Sequence, residues 1–145
     1  MSEQHEGVMS SELVRVLNPV ACIRSRLSNA TAPMGKDKLT EVERIKVLAI
    51  PAYNFMLDKI ETLPFKESRL YVDYFCSMIW KRDYRRFQAE YAIPLYTIME
   101  QLLAELSESP GKYNVPEAFW SEELPRTVAH LKKEFVRIDS LLRHH

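Results

Sequence analysis

Apolar residues in this chain fall three and four positions apart over most of its length, the spacing that gathers them on one side of an α-helix. The clearest run is the last. Leu124, Val128, Leu131, Phe135, Ile138 and Leu142 step by 4, 3, 4, 3 and 4, which predicts a long amphipathic C-terminal helix. Ser121 is placed to cap it, with Glu122, Glu123 and Pro125 in a first turn that tolerates acids and proline. Upstream, Val42, Ile45, Ala49, Ala52 and Met56 mark a second helix, opened by Thr40 and Glu43 at capping-box spacing and closed by Thr62-Leu63-Pro64. Pro51 falls inside that run, where it removes the hydrogen bond to the Val47 carbonyl and predicts a kink or restart.

The block that begins near Ser68 is the richest in rings. From Leu70 to Trp80 only Asp73 and Ser77 are polar, the pattern of a helix packed on several sides and hence of a central helix. Beyond Trp80 the pattern turns amphipathic, with Trp80, Tyr84, Phe87 and Tyr91 on one stripe as far as Pro94. Leu95 to Leu106 forms a further apolar run. Residues 1–9 read as a mobile polar tail. Ser10 or Ser11 caps a short helix carrying Leu13, Val16 and Leu17, Asn18-Pro19 interrupts it, and Val20, Ile23 and Leu27 extend the stripe. Residues 31–38 and 107–115 read as loops, and Pro116–Trp120 as a single helical turn. The expectation is an all-α fold: one domain over residues 10–145, a compact bundle of four to six helices, some proline-kinked.

Ala49-Ile-Pro-Ala-Tyr-Asn-Phe-Met56 recurs as Ala92-Ile-Pro-Leu-Tyr-Thr-Ile-Met99, with five of eight positions identical. Either two helical hairpins are related by duplication, or short apolar words recur in a helix-rich chain. The poor likeness of residues 40–48 to 83–91 favours the second. Two units also fall short of the three or more that a solenoid needs.

Three glycines in 145 residues argue against tight hairpins, and 20 basic side chains cancel 20 acidic ones. No global field therefore draws the chain to nucleic acid or an anionic surface. The charge is nonetheless uneven: residues 13–46 and the last 21 are basic, residues 95–124 acidic. Cys22 and Cys76, each among apolar neighbours, suit reduced thiols in a cytoplasmic protein. The N-terminal residues lack a signal-peptide pattern, and the longest uncharged run, Val47 to Leu57, is too short to span a bilayer.

Searching for chemistry yields little. His5, His130, His144 and His145 lack zinc-ligand spacing, and the paired Glu-x-x-His of di-iron bundles is missing. Cys76 has no neighbouring base to activate it. Phosphate loops, nucleophile elbows and dinucleotide fingerprints are all missing, and Glu41, Glu43, Glu100 and Glu105 read as face and cap residues. No metal, cofactor or catalytic residue is predicted, and a non-enzymatic role follows, with a small all-α enzyme as the lowest-ranked alternative.

The segment from Trp80 to Phe87 is the most suggestive. Trp80, Lys81, Arg82, Tyr84, Arg85 and Arg86 interleave cations with rings, the combination favoured at binding hot spots. It predicts a recognition strip for an acidic protein partner, as in a regulatory or adaptor subunit. The alternatives are a nucleic-acid-associated subunit using the same residues, and internal pairing of the arginines with the acidic 95–124 stretch. A pI near 6.9 weakens the nucleic-acid reading. Leu124, Val128, Leu131, Phe135, Ile138 and Leu142 serve either to dock the last helix on its own bundle or as the seam of a homodimer.

Overall fold

The computed structural model describes residues 18–34 and 37–144. Its helices are α1 (Pro19–Thr31), α2 (Lys38–Thr62), α3 (Phe65–Trp80), α4 (Arg82–Glu90), α5 (Tyr96–Glu108) and α6 (Leu124–Arg143), with a π-helical segment, Phe119–Glu123, running directly into α6. No strand occurs among the described residues, so the fold is the expected all-α bundle. Helix α1 lies along α2, α2 touches α5, α5 touches α6, α6 touches α4, and α4 returns to α1. Helix α3 bridges α2 and α4. Ile23, Leu27, Ile45, Met56, Phe75, Met99 and Leu102 are fully buried between them.

Several boundaries depart from the sequence reading, each for a definable reason. Asn18-Pro19 starts a helix instead of interrupting one: the Asn18 side chain accepts from the Val20 and Ala21 amides at 2.8 and 3.4 Å, and Pro19 occupies the first turn, where no amide is missed. The short helix expected around Leu13, Val16 and Leu17, with its Ser10 or Ser11 cap, lies outside the described residues. Helix α2 is capped by Asp37, which accepts from the Leu39 and Thr40 amides, so the Thr40–Glu43 box is not the cap. Ser68 is not a cap either. It lies one turn inside α3, buried, and donates to the Phe65 carbonyl. Ser121 sits within the π-helical segment, and the predicted single turn is continuous with the last helix through it.

The two prolines of the repeated octapeptide behave differently. Pro51 is accommodated inside an unbroken α2. Pro94 lies in the connection between α4 and α5. The copies therefore share the burial of Met56 and Met99 but not a backbone.

Candidate interaction surface at the α3–α4 corner

The ring-rich helix is less enclosed than its composition suggests: Leu70 and Tyr74 on α3 are 65% and 42% exposed. Nor does it continue past Trp80. Lys81 adopts an extended backbone (φ −56°, ψ 135°), ending α3 and beginning α4. A break there leaves α3 carbonyls without helical partners, a cost the fold must meet. Two side chains of α4 meet it. Gln88, buried, donates from Nε2 to the Ile79 carbonyl at 2.9 Å, and Arg85 donates from Nη1 to the Trp80 carbonyl at 2.9 Å. The corner is thus clamped by the very segment that the sequence marks as a recognition strip.

Arg85 has a second role inside the protein. Its guanidinium lies 4.6 Å from the Trp80 ring centre, and its Nε is 3.1 Å from a Glu134 carboxylate oxygen on α6. The Trp80 ring in turn stacks on His130 at 4.4 Å. Arg137 donates to both oxygens of Glu134 at 2.8 and 2.9 Å. These hydrogen bonds, with the charges of Arg85 and His130 and against the pull of burial, hold the Glu134 carboxyl below the usual range. Arg85 pairs internally, as one reading of the strip anticipated, although its partner is Glu134 and not a member of the acidic 95–124 stretch. The acids of that stretch go elsewhere: Glu100 lies 3.8 Å from Lys132, and Glu123 pairs with Arg69.

The six residues of the strip therefore divide. Tyr84 is buried at 4% exposure. Trp80 and Arg85 are half-buried in the cluster just described. Lys81, Arg82 and Arg86 are exposed. Lys81 caps the Tyr84 ring at 4.7 Å, while Arg82 and Arg86, four apart on one edge of α4, have no acidic partner among the described residues. Beside Trp80, a groove of about 430 Å³ runs between α3 and α6, lined by Ser77, Trp80, Arg126, Thr127 and His130 among others.

The α6 ladder divides as well. Leu124, Val128 and Leu131 are 2%, 6% and 7% exposed against the bundle, whereas Phe135, Ile138 and Leu142 are half-buried. On the distal half of α6, Val136 and Leu141 stand 52% and 50% exposed.

Cys76 also lines the groove. Burial, reinforced by the Asp73 carboxylate, pushes its thiol up to about 12, so it stays protonated at neutral pH and is a poor nucleophile. No group of three His, Cys, Asp or Glu side chains among the described residues is arranged to hold a metal ion, and no helix among them is long and apolar enough to cross a membrane.

The sequence reading missed Glu41. It is 1% exposed between α1 and α2, not a face residue, and its Oε1 lies 3.2 Å from Arg26 and 3.5 Å from Arg44. Its Oε2 is buried with no hydrogen-bond partner among the described residues. The available sign was its place beside Val42 and four residues before Ile45, on the buried stripe of α2. Gln88 and Glu134 were missed for another reason, since each matters only through a residue distant in sequence. Compared with known proteins, the chain matches no protein family, no curated protein and no solved structure.

Proposed function

We propose that this protein is a non-enzymatic binding module that engages an acidic protein segment at the α3–α4 corner. The observation that supports the reading is the pairing of a clamped backbone with exposed cations. Trp80, Arg85, Gln88 and Glu134 hold the corner rigid, and Lys81, Arg82 and Arg86 project from it. Cations on a preorganised element lose less freedom on binding than cations on a loop. The groove beside Trp80, with Arg126 on its wall, offers a place for an apolar side chain of the same segment. Asp83 and Glu90, exposed on the same helix, interrupt the positive field and disfavour a long phosphodiester backbone.

The test uses a Glu/Leu-rich peptide and a single-stranded oligonucleotide of equal charge, each titrated against the protein at low salt. Arg82→Glu with Arg86→Glu is expected to weaken peptide binding at least tenfold while the circular dichroism spectrum stays native, and Lys46→Glu on α2 to leave it unchanged. Equal affinity in the double variant, or a preference for the oligonucleotide, sinks the reading.

A second reading, pairing of two copies through the distal half of α6, is favoured by the exposure of Val136 and Leu141 beside half-buried Phe135, Ile138 and Leu142.

A further inference from the structure

The groove beside Trp80 does not end at α3 residue Ser77. A second hollow, of about 360 Å³, adjoins it, and Cys76, Ser77 and Thr127 line both. Together they form one trough between α3 and the stretch that runs from the π-helical segment into α6. Its walls advance in step: Asp73 lies across from Glu123 at one end, and Trp80 stacks on His130 at the other. Each wall covers seven residues between those points, about 10 Å at helical rise.

The two ends carry opposite charge. At the Trp80 end Arg126 and His130 are exposed, Lys81 follows directly, and no acid among the described residues lines the hollow. At the far end Asp73 and Glu123 share one cation: Arg69 Nε is 3.3 Å from Asp73, and the same guanidinium pairs with Glu123. Two carboxylates against one guanidinium leave a net negative charge (two minus one), and Glu122 is exposed beside them. That charge reaches the trough, because burial and then the Asp73 carboxylate push the Cys76 thiol up. Between the ends the lining is uncharged, with buried Val72, Leu124 and Leu131 alongside Ser77 and Thr127.

We propose that the partner segment is bipolar: its acids sit at the α3–α4 corner, its apolar side chains fill the trough, and a lysine or arginine meets Asp73 and Glu123. The inference rests on the acidic-segment reading of the corner and adds a cation at a set distance from the acids. An extended chain gains ~3.3 Å per residue, so about three steps carry it from one charged end to the other. Opposite charges at the two ends fix which way the segment lies. They also reject a uniformly acidic segment, whose second cluster of carboxylates would meet Asp73 and Glu123. Both acids are partly exposed, so the added attraction is modest and shows as a preference between ligands.

Two labelled peptides test this by fluorescence anisotropy at low salt: Lys-Lys-Leu-Val-Leu-Glu-Glu, with opposite charges at its ends, and Glu-Glu-Leu-Val-Leu-Glu-Glu, with acids at both. The full chain is expected to bind the first at least fivefold more tightly. Asp73→Lys should reverse that order and Asp73→Asn should narrow it, and either variant decides the matter if the other fails to fold. Ser77→Trp, which fills the middle of the trough from an exposed position, should weaken both peptides several-fold. Arg82→Glu with Arg86→Glu should weaken both as well, but leave their ratio unchanged. Equal binding of the two peptides by the parent, a preference for the acidic one, a ratio that neither Asp73 variant moves, or a Ser77→Trp that weakens neither overturns the proposal; a loss at Arg82 and Arg86 then still keeps the corner. The converse, a ratio that follows Asp73 with no response at Arg82 and Arg86, keeps the trough and removes the corner. Binding of neither peptide removes both.

Discussion

Glu41 and Arg26 form one contact, yet deleting one partner or the other has unequal consequences, because the two meet water differently. Glu41 is 1% exposed and Arg26 31%. Without its carboxylate, Arg26 and Arg44 can still reach solvent, so Glu41→Gln should cost about 1.5–3 kcal/mol, the range for a lost hydrogen bond to a charged group. Without Arg26, a buried carboxylate keeps only Arg44 at 3.5 Å, and Arg26→Ala should cost more, about 3 kcal/mol or above, as for other half-broken buried pairs. Urea unfolding of the two variants measures the order. A larger loss for Glu41→Gln than for Arg26→Ala contradicts the account. Arg85 obeys related logic on the far side of the bundle, where its contacts with the Trp80 carbonyl and Glu134 make it part of the scaffold and leave Arg82 and Arg86 as the exposed arginines of α4 on which the proposed recognition rests.

Helix ends show where reading the sequence succeeds and where it stops. Helix α4 finishes in a Schellman arrangement: the Ile93 amide donates to the Gln88 carbonyl at 2.9 Å and the Ala92 amide to the Ala89 carbonyl at 3.4 Å. The residue between them must be left-handed, and it is Ala92, at φ 54°. Glycine normally marks that position, so with alanine there the stop is hard to read, and only Pro94 hints at it. A left-handed alanine costs roughly 1–2 kcal/mol, and replacing it with glycine returns about 0.4–1 through the freer unfolded chain. Ala92→Gly is therefore expected to stabilise the protein by roughly 0.5–1 kcal/mol in urea unfolding; a loss of stability would mean that the Ala92 methyl makes contacts that outweigh the strain. The interior was far easier to read. Val20, Ile23 and Leu27, Val42, Ile45 and Met56, and Leu124, Val128 and Leu131 are all buried as their spacing requires, because burial of a stripe follows from local periodicity. The break at Lys81 was illegible because it depends on Gln88 and Arg85 reaching back to Ile79 and Trp80, a tertiary arrangement that leaves no trace in hydropathy. In the recognition strip, the residue types were visible in the sequence, but not which of them the fold consumes.

For the molecule as a whole, the two readings of its binding behaviour respond to salt with opposite sign. An acidic segment on Lys81, Arg82 and Arg86 is held by attraction between exposed charges, so its affinity falls as ionic strength shortens the screening length, about 10 Å at 0.1 M and 3 Å at 1 M. Pairing through the distal half of α6 brings like against like. Lys132, Lys133, Arg137 and Arg143 on α6, with Arg85 beside Glu134, outnumber Glu134, Asp139 and the Glu100 that lies beside Lys132, a surplus of two positive charges (five minus three) on each copy, while the attraction comes from apolar contact around Val136 and Leu141. Salt screens that repulsion and strengthens the pairing. Light scattering coupled to size exclusion should then show mass rising toward two chains as salt and concentration increase, and Val136→Asp with Leu141→Asp should hold the protein at one chain with unfolding stability within about 0.5 kcal/mol of the parent, as expected for surface changes. A single-chain mass at every salt and concentration removes the pairing. A two-chain species that the double variant leaves intact moves the seam to another face. If mass rises with salt while peptide affinity falls, both surfaces act, and acidic partners and self-association dominate under different ionic conditions.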